Sequence, residues 1–533
     1  MNLDYAVGKL NTSEDWGGLA EELGGKDQRP VHSIIRHLIT VGAKSYLIET
    51  RYIDRDYSAD YRRFYAQTFR TYERHCKRIH FFKEDVAAIL ALPIWSDRVA
   101  GLQRTSKRSY IGFCVVRPLP SAPIGRTALL QAGPAGRNLE SIVTCRADIR
   151  ANLLGAELDV SAACFMQQDS RVGACAQVAI WMGARHMHQR HKYNWLSVAD
   201  ITRMAAPTTA YQATSLPAGS EFLTPDHMIR AIHEMGFQPL YIEGTGKEPG
   251  KEIAAEIIPY VESGLPVILG LAHGEGLGHA VTVIGRVFAA RRTPSNQLAE
   301  YVPAFIVHDD QAGPYMLLPR TRDAAVTHKF DEHQLIRHSF TTTTPVDLNV
   351  EEHGVFAVVL MPIRVFATAR AAERTAVGRL NAAIKNIASI RAKLAEQGAP
   401  VNDRLLDELI DAHKKDKIVL RTYLTSASGY RKHITSGTAC DDLKDELARL
   451  HLPHFTWITE ISTVGSYNQA SPGMRRMYGH TILDATSTGR DNAGLLALHL
   501  PGVLISRDVN SGDEVAINIT DDALYHCREK KGP

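Results

Sequence analysis

Cys175-Ala176-Gln177-Val178-Ala179-Ile180-Trp181-Met182-Gly183-Ala184 is the stretch on which the reading of this chain turns. From Cys175 to about Gln189 nearly every position suits a helix, and apolar residues fall on all of its sides. Such a helix belongs in the middle of a domain rather than on its surface. Downstream, Thr224-Pro225-Asp226 opens a second helix with a capping threonine and a proline in the first turn, and Gly236 closes it. A short strand at Leu240 to Ile242 and a helix at Ile253 to Ser263 follow. Then come apolar, β-branched runs at Pro266 to Ala272, His279 to Gly285, Ala304 to His308 and Val355 to Met361, which read as strands. Helices first and strands after them predict an α+β domain, with the buried helix packed on an antiparallel sheet.

Outward from this segment the composition changes. Residues 1–150 read as a mixed α/β region with strands available to extend the central core: a helix at Val31 to Val41, a strand at Ser45 to Ile53, a helix at Tyr57 to His80 and a strand at Tyr110 to Arg117. Residues 151–365 form the central domain. The Ala- and Arg-rich helix predicted over Thr368 to Glu396 marks the next boundary, so residues 366–533 read as helical and then β-rich. A second helix is expected from Asp403 to about Leu424, with short strands after Phe455.

With 533 residues, 44% of them hydrophobic, the chain has enough apolar material for several buried cores. Its 61 basic residues against 58 acidic ones give a formal charge of +3, so no global field draws it to nucleic acid or to an anionic membrane. The first residues lack the basic start and apolar core of a secretory signal. The longest apolar runs fall far short of the roughly 20 residues that span a bilayer. Seven cysteines, odd in number and without a Cys-x-x-Cys pair, argue against a disulfide framework. A cytoplasmic protein is expected, with neither membrane nor nucleic acid as a partner. The Arg62 to Arg78 run, interleaved with aromatics, reads as a packed face with solvated charges.

Cys175 stands at the predicted start of the buried helix, where unpaired amides favour an anion. His279 begins a strand after the loop Gly274-Glu275-Gly276-Leu277-Gly278, and Asp309 ends the next strand. Adjacent strands can bring those two side chains together, which supplies thiol, base and orienting carboxylate.

On these residues the chain resembles the papain-like cysteine peptidases, closest to the bacterial double-glycine peptidase branch, over about Gln167 to Pro362. The matching pieces are Gln168, Cys175-Ala176-Gln177-Val178-Ala179, Gly278-His279-Ala280-Val281 and Asp309-Asp310-Gln311-Ala312-Gly313-Pro314. The resemblance implies a papain-like domain in which Cys175 is the nucleophile, His279 the general base and acid, Asp309 the residue that orients it, and Gln168 an oxyanion donor. In the family a glutamine usually stands where this chain has Asp169, one residue after Gln168, and Asp-Pro becomes Asp309-Asp310, which leaves open which carboxylate faces His279.

The resulting expectation is a hydrolase that cleaves a peptide or isopeptide bond through an acyl-enzyme, without cofactor or metal. Its substrate would be a peptide or protein, and the flanking regions would engage a partner protein. Acyl transfer or amidase chemistry by the same triad, and an inactive binding module of the same fold, are the alternatives. A metal hydrolase built on His273, Glu275, His279, His308 and Asp309 is a further one, although the spacing lacks a helical His-x-x-x-His pair. His186, His188 and His191 read as a polar helix end, and Cys114, Cys145 and Cys164 as packing residues.

Overall fold

The computed structural model describes residues 5–132, 139–169, 175–206, 223–273, 277–338, 346–396, 403–488, 494–508, 511–520 and 523–528. At its centre stands a seven-stranded antiparallel sheet: β1 (Leu139–Val143), β2 (Gln238–Glu243), β3 (Val267–His273), β4 (Leu277–Ala289), β5 (Ala304–Asp309), β6 (Gly313–Pro319) and β7 (Gly354–Met361). The spatial order is β2-β7-β3-β4-β5-β6. β4 is long enough to pair with β3 over its first half and with β1 beyond Gly285. Strands β3 to β5 and most of β7 are rich in Val, Ile and Leu because they are covered on both faces, a composition that favours the extended backbone, whereas β2 is largely exposed.

Helix α1 (Cys175–His191) packs on β4 and β3, with every residue from Cys175 to Met187 buried. Thr282 on β4 donates a hydrogen bond to the Ala179 carbonyl (2.8 Å), which fixes the strand against the first turns of α1. Helix α2 (Pro249–Glu262) covers β7. Between these helices Thr224 caps Pro225–Glu234 by accepting from the His227 amide, as its Thr-Pro start predicts.

The N-terminal region forms its own antiparallel sheet, with strands at Tyr5–Lys9, Ser45–Tyr52, Cys76–Phe82, Tyr110–Val116, Ile124–Leu129 and Cys164–Phe165. It shares one apolar core with the middle of the chain. Asp56, on its helix Arg55–Arg63, accepts hydrogen bonds from Trp181 and Arg185, so the middle of α1 is gripped from that side. The C-terminal region carries a third sheet, with strands at Ile418–Ser426, Phe455–Thr463, Gly479–Asp484, Leu495–Leu500, Val503–Arg507 and Glu514–Asn518. A buried ionic network joins it to the centre, in which Glu262 accepts from Arg286 and Arg421, and Arg421 also donates to Glu460.

Three expected helices differ. The stretch Tyr57 to His80 is a helix only to Arg63, and Cys76–Phe82 is a strand inserted between two others of the N-terminal sheet. Its aromatic and basic residues fit either periodicity, and pairing with neighbours decided. Thr368 to Glu396 divides into Ala369–Lys385 and Ile387–Glu396 at Asn386. The helix begun at Asp403 ends at Lys414, and Ile418–Ser426 is an edge strand of the C-terminal sheet. No helix of the described residues is long and apolar enough to cross a membrane.

Candidate active site

Cys175, His279 and Asp309 are brought to one place from three segments of the chain. The register of β4 with β5 pairs Thr282 with His308, which sets the next residue, Asp309, near the start of β4 where His279 lies. His279 Nε2 lies 3.2 Å from Asp309 Oδ2, and both residues are buried. Asp309 is held in turn, because its Oδ1 accepts from the Gln311 and Ala312 amides, each at 2.9 Å. That turn is walled by the N-terminal helix Arg29–Thr40: a Cβ on Gly313, where φ is +138°, would stand 2.3 Å from Ser33 Oγ.

The second carboxylate of the pair is further away. Asp310 Oδ1 is 3.9 Å from His279 Nε2, and both Asp310 oxygens are buried with no hydrogen-bond partner among the described residues. Burial, reinforced by the neighbouring charge of Asp309, raises the Asp310 carboxyl well above its ordinary range. Of the two carboxylates, Asp309 is the one closer to the imidazole.

The Cys175 sulfur lies against the backbone amide of Ala280, the residue after His279, and against the amide of Ala176. These donors favour a thiolate, but burial and the charges of Asp310 and Asp309 outweigh them and push the thiol up to about 12. Expecting the helix start to lower this pKa left out the two acids across the site. A resting thiol this weak is a nucleophile only when a base removes its proton as it attacks. His279, the residue before Ala280, is the base on the same strand, and its Nε2 is turned to Asp309.

Gln168 is half-buried and makes no hydrogen bond among the described residues. Its neighbours are tied down: Gln167 bonds to Gln28 and to the Ile124 amide, and Asp169 accepts from Tyr65. Residues 170–174, which link Gln168 to Cys175, lie outside the described residues.

Of the wider metal set, His308 points elsewhere. Its Nδ1 accepts from the Tyr315 amide (3.1 Å), its Nε2 meets the Ala163 carbonyl (3.4 Å), and burial pushes it down to about 3. Glu275 lies outside the described residues. His186 and His188 bond to the backbone carbonyls of Gly264 and Tyr193, as a helix end would. Cys114 and Cys164 are buried, and burial raises their thiols to about 12 and about 11.

Arg29 is a neighbour that sequence reasoning missed. Burial lowers its pKa, and attraction to Asp309 partly offsets that, which places a guanidinium on the N-terminal side of the site. No local signal marks it, because only the packing of the helix Arg29–Thr40 against β6 brings it there. Neither a protein-family model, nor a curated protein, nor a solved structure matches the chain.

Proposed function

We propose that the protein is a papain-like thiol hydrolase acting on a peptide or isopeptide bond. The observation that carries this reading is the 3.2 Å approach of His279 Nε2 to Asp309, with the Cys175 sulfur against the amide of the next residue, Ala280. Cys175 attacks the carbonyl carbon as His279 takes its proton, and the developing oxyanion is met by backbone amides near the start of α1. His279 then returns the proton to the leaving amine, and water activated by the same imidazole releases the acyl group. Asp309 holds the ring and balances its positive charge throughout.

Alkylation tests this reading. Iodoacetamide at neutral pH is expected to modify Cys175 faster than buried Cys76, although burial raises both thiols, because the Cys175 sulfur lies against the amide next to His279. His279→Ala is expected to slow that modification at least about tenfold. Equal rates at the two cysteines, with no effect of His279→Ala, would make Cys175 a packing residue and leave an inactive binding module.

One observation favours a second reading. Ligand atoms of His279, Asp309 and Asp310 lie within 4.8 Å of one another, all buried, a spacing and donor set suited to a divalent cation. A chelator separates the two chemistries. Under the thiol reading hydrolysis survives it, whereas loss of activity restored by zinc and abolished in Asp310→Asn would assign the site to a metal.

A further inference from the structure

At the far end of α1 from Cys175, where the central domain meets the C-terminal sheet, lies a cavity of about 620 Å³. Five cationic side chains line it: Arg146, Arg190, Lys192, Arg364 and Arg528. No carboxylate lines it, and none of the five is in an ion pair among the described residues. In a chain of nearly balanced charge this is a local concentration of one sign. Arg190 lies in the last turn of α1 and Lys192 just after it, where cations are favoured by the helix dipole. Arg146, Arg364 and Arg528 come from three other segments, and that dipole does not account for them.

The opposite wall is built to receive negative charge. Helix α3 (Ala427–Ser436) starts there, with its cap Ser426, Ser428 and Gly429 lining the cavity. The Ala427 amide is taken by the His454 carbonyl and the Gly429 amide by Ser426 Oγ, while the Ser428 amide has no partner among the described residues. Gly429 keeps this start bare, and a Cβ there would stand 3.6 Å from Arg528 Nη2. Arg528 is itself anchored, because its amide donates to Glu460 and its carbonyl accepts from Arg421 of the buried network. Its Nη1 is buried with no hydrogen-bond partner among the described residues. Phe455, packed edge-on against His454 at 4.4 Å between ring centres, adds an aromatic wall.

We propose that this cavity binds a small oligophosphate, a molecule carrying at least two linked phosphates. Guanidinium forks and a helix start both match phosphate oxygens, five unpaired cations call for more than one negative charge, and the volume suits a small molecule. A nucleoside polyphosphate and an inorganic phosphate chain share this chemistry. The site is independent of the thiol chemistry, since it requires neither Cys175 nor His279.

Calorimetric titration of the full-length protein with ATP, sodium tripolyphosphate and citrate tests the proposal. Both phosphate compounds are expected to bind at physiological salt, with citrate at least about tenfold weaker. Tighter binding of ATP than of tripolyphosphate would assign a nucleotide, and equal binding an inorganic chain. Arg190→Glu and Arg364→Glu alter exposed, unpaired side chains, so folding is retained, and each is expected to weaken tripolyphosphate at least about tenfold. Arg62→Glu, the same charge change at an exposed position of the N-terminal region, is expected to have little effect. Three results would overturn the proposal: no binding of either phosphate compound, citrate as tight as tripolyphosphate, or an equal loss in Arg62→Glu.

Discussion

Cys175→Ala is expected to lower turnover of an acyl substrate, such as p-nitrophenyl acetate or a mixed peptide pool, by on the order of 10⁴- to 10⁶-fold. The size follows from the chemistry. A thiol pushed up to about 12 leaves on the order of one molecule in 10⁵ ionised at neutral pH, so the reaction depends on removal of the Cys175 proton as it attacks. Removing the sulfur leaves His279 and Asp309 able to polarise water but with no group to form the acyl-enzyme. The same change removes a single buried atom, and the expected stability loss is about 1 kcal/mol, so the urea midpoint hardly moves. A variant that keeps turnover within about tenfold of the parent would sink the hydrolase reading. His279→Ala should match the loss in turnover. Asp309→Asn should fall short of it, because the turn amides that hold Asp309 can still hold an asparagine.

Glu262→Gln should produce the largest change in stability, about 3 to 5 kcal/mol. Glu262 is buried at the end of α2 and is shared by Arg286 of β4 and Arg421 of the C-terminal sheet. An amide in its place takes the charged partner from Arg286 and leaves Arg421 with Glu460 alone, so one buried guanidinium charge goes uncompensated. Chemical unfolding of the variant measures the effect, and a loss below about 1 kcal/mol would show that water or local shifts relieve the charges. The network also sets an acid limit. Burial alone would raise the Glu262 carboxyl, but Arg286 and Arg421 overcome it and hold the group well below the usual carboxylate range. Its folded pKa is thus lower than the unfolded value of about 4.3, so its contribution is complete above that value. It is lost as the pH falls through the folded pKa. The parent should therefore lose more stability below about pH 4 than Glu262→Gln does, and the gap between the two should narrow as the pH falls.

The helix Cys175–His191 and the strands around it were legible because their residues satisfy local rules: an unbroken apolar run, a Thr-Pro helix start and β-branched strands bounded by glycine or aspartate. The side chains of Cys76–Phe82 and Ile418–Ser426 suit either backbone, so the pattern alone extends the preceding helix into them, and only a neighbouring strand supplies the hydrogen bonds that choose. The pairing of His279 with Asp309 follows from strand order and register. The acid-rich surroundings of Cys175 do not, because the charge felt by a sulfur depends on separations in space that the spacing along the chain leaves unspecified.

The basic cavity shows the same division more sharply. Each of Arg146, Arg190, Lys192, Arg364 and Arg528 is unremarkable among its sequence neighbours, and their convergence depends on how the C-terminal sheet docks on the centre. The sequence by itself determined the α+β pattern, the buried helix and the three residues that can form a thiol, base and acid set, since these rest on side-chain type and short-range periodicity. The tertiary structure alone decided which aspartate faces His279, how strongly the thiol is held protonated, and where unpaired cations gather, since Coulomb energies and desolvation act through space.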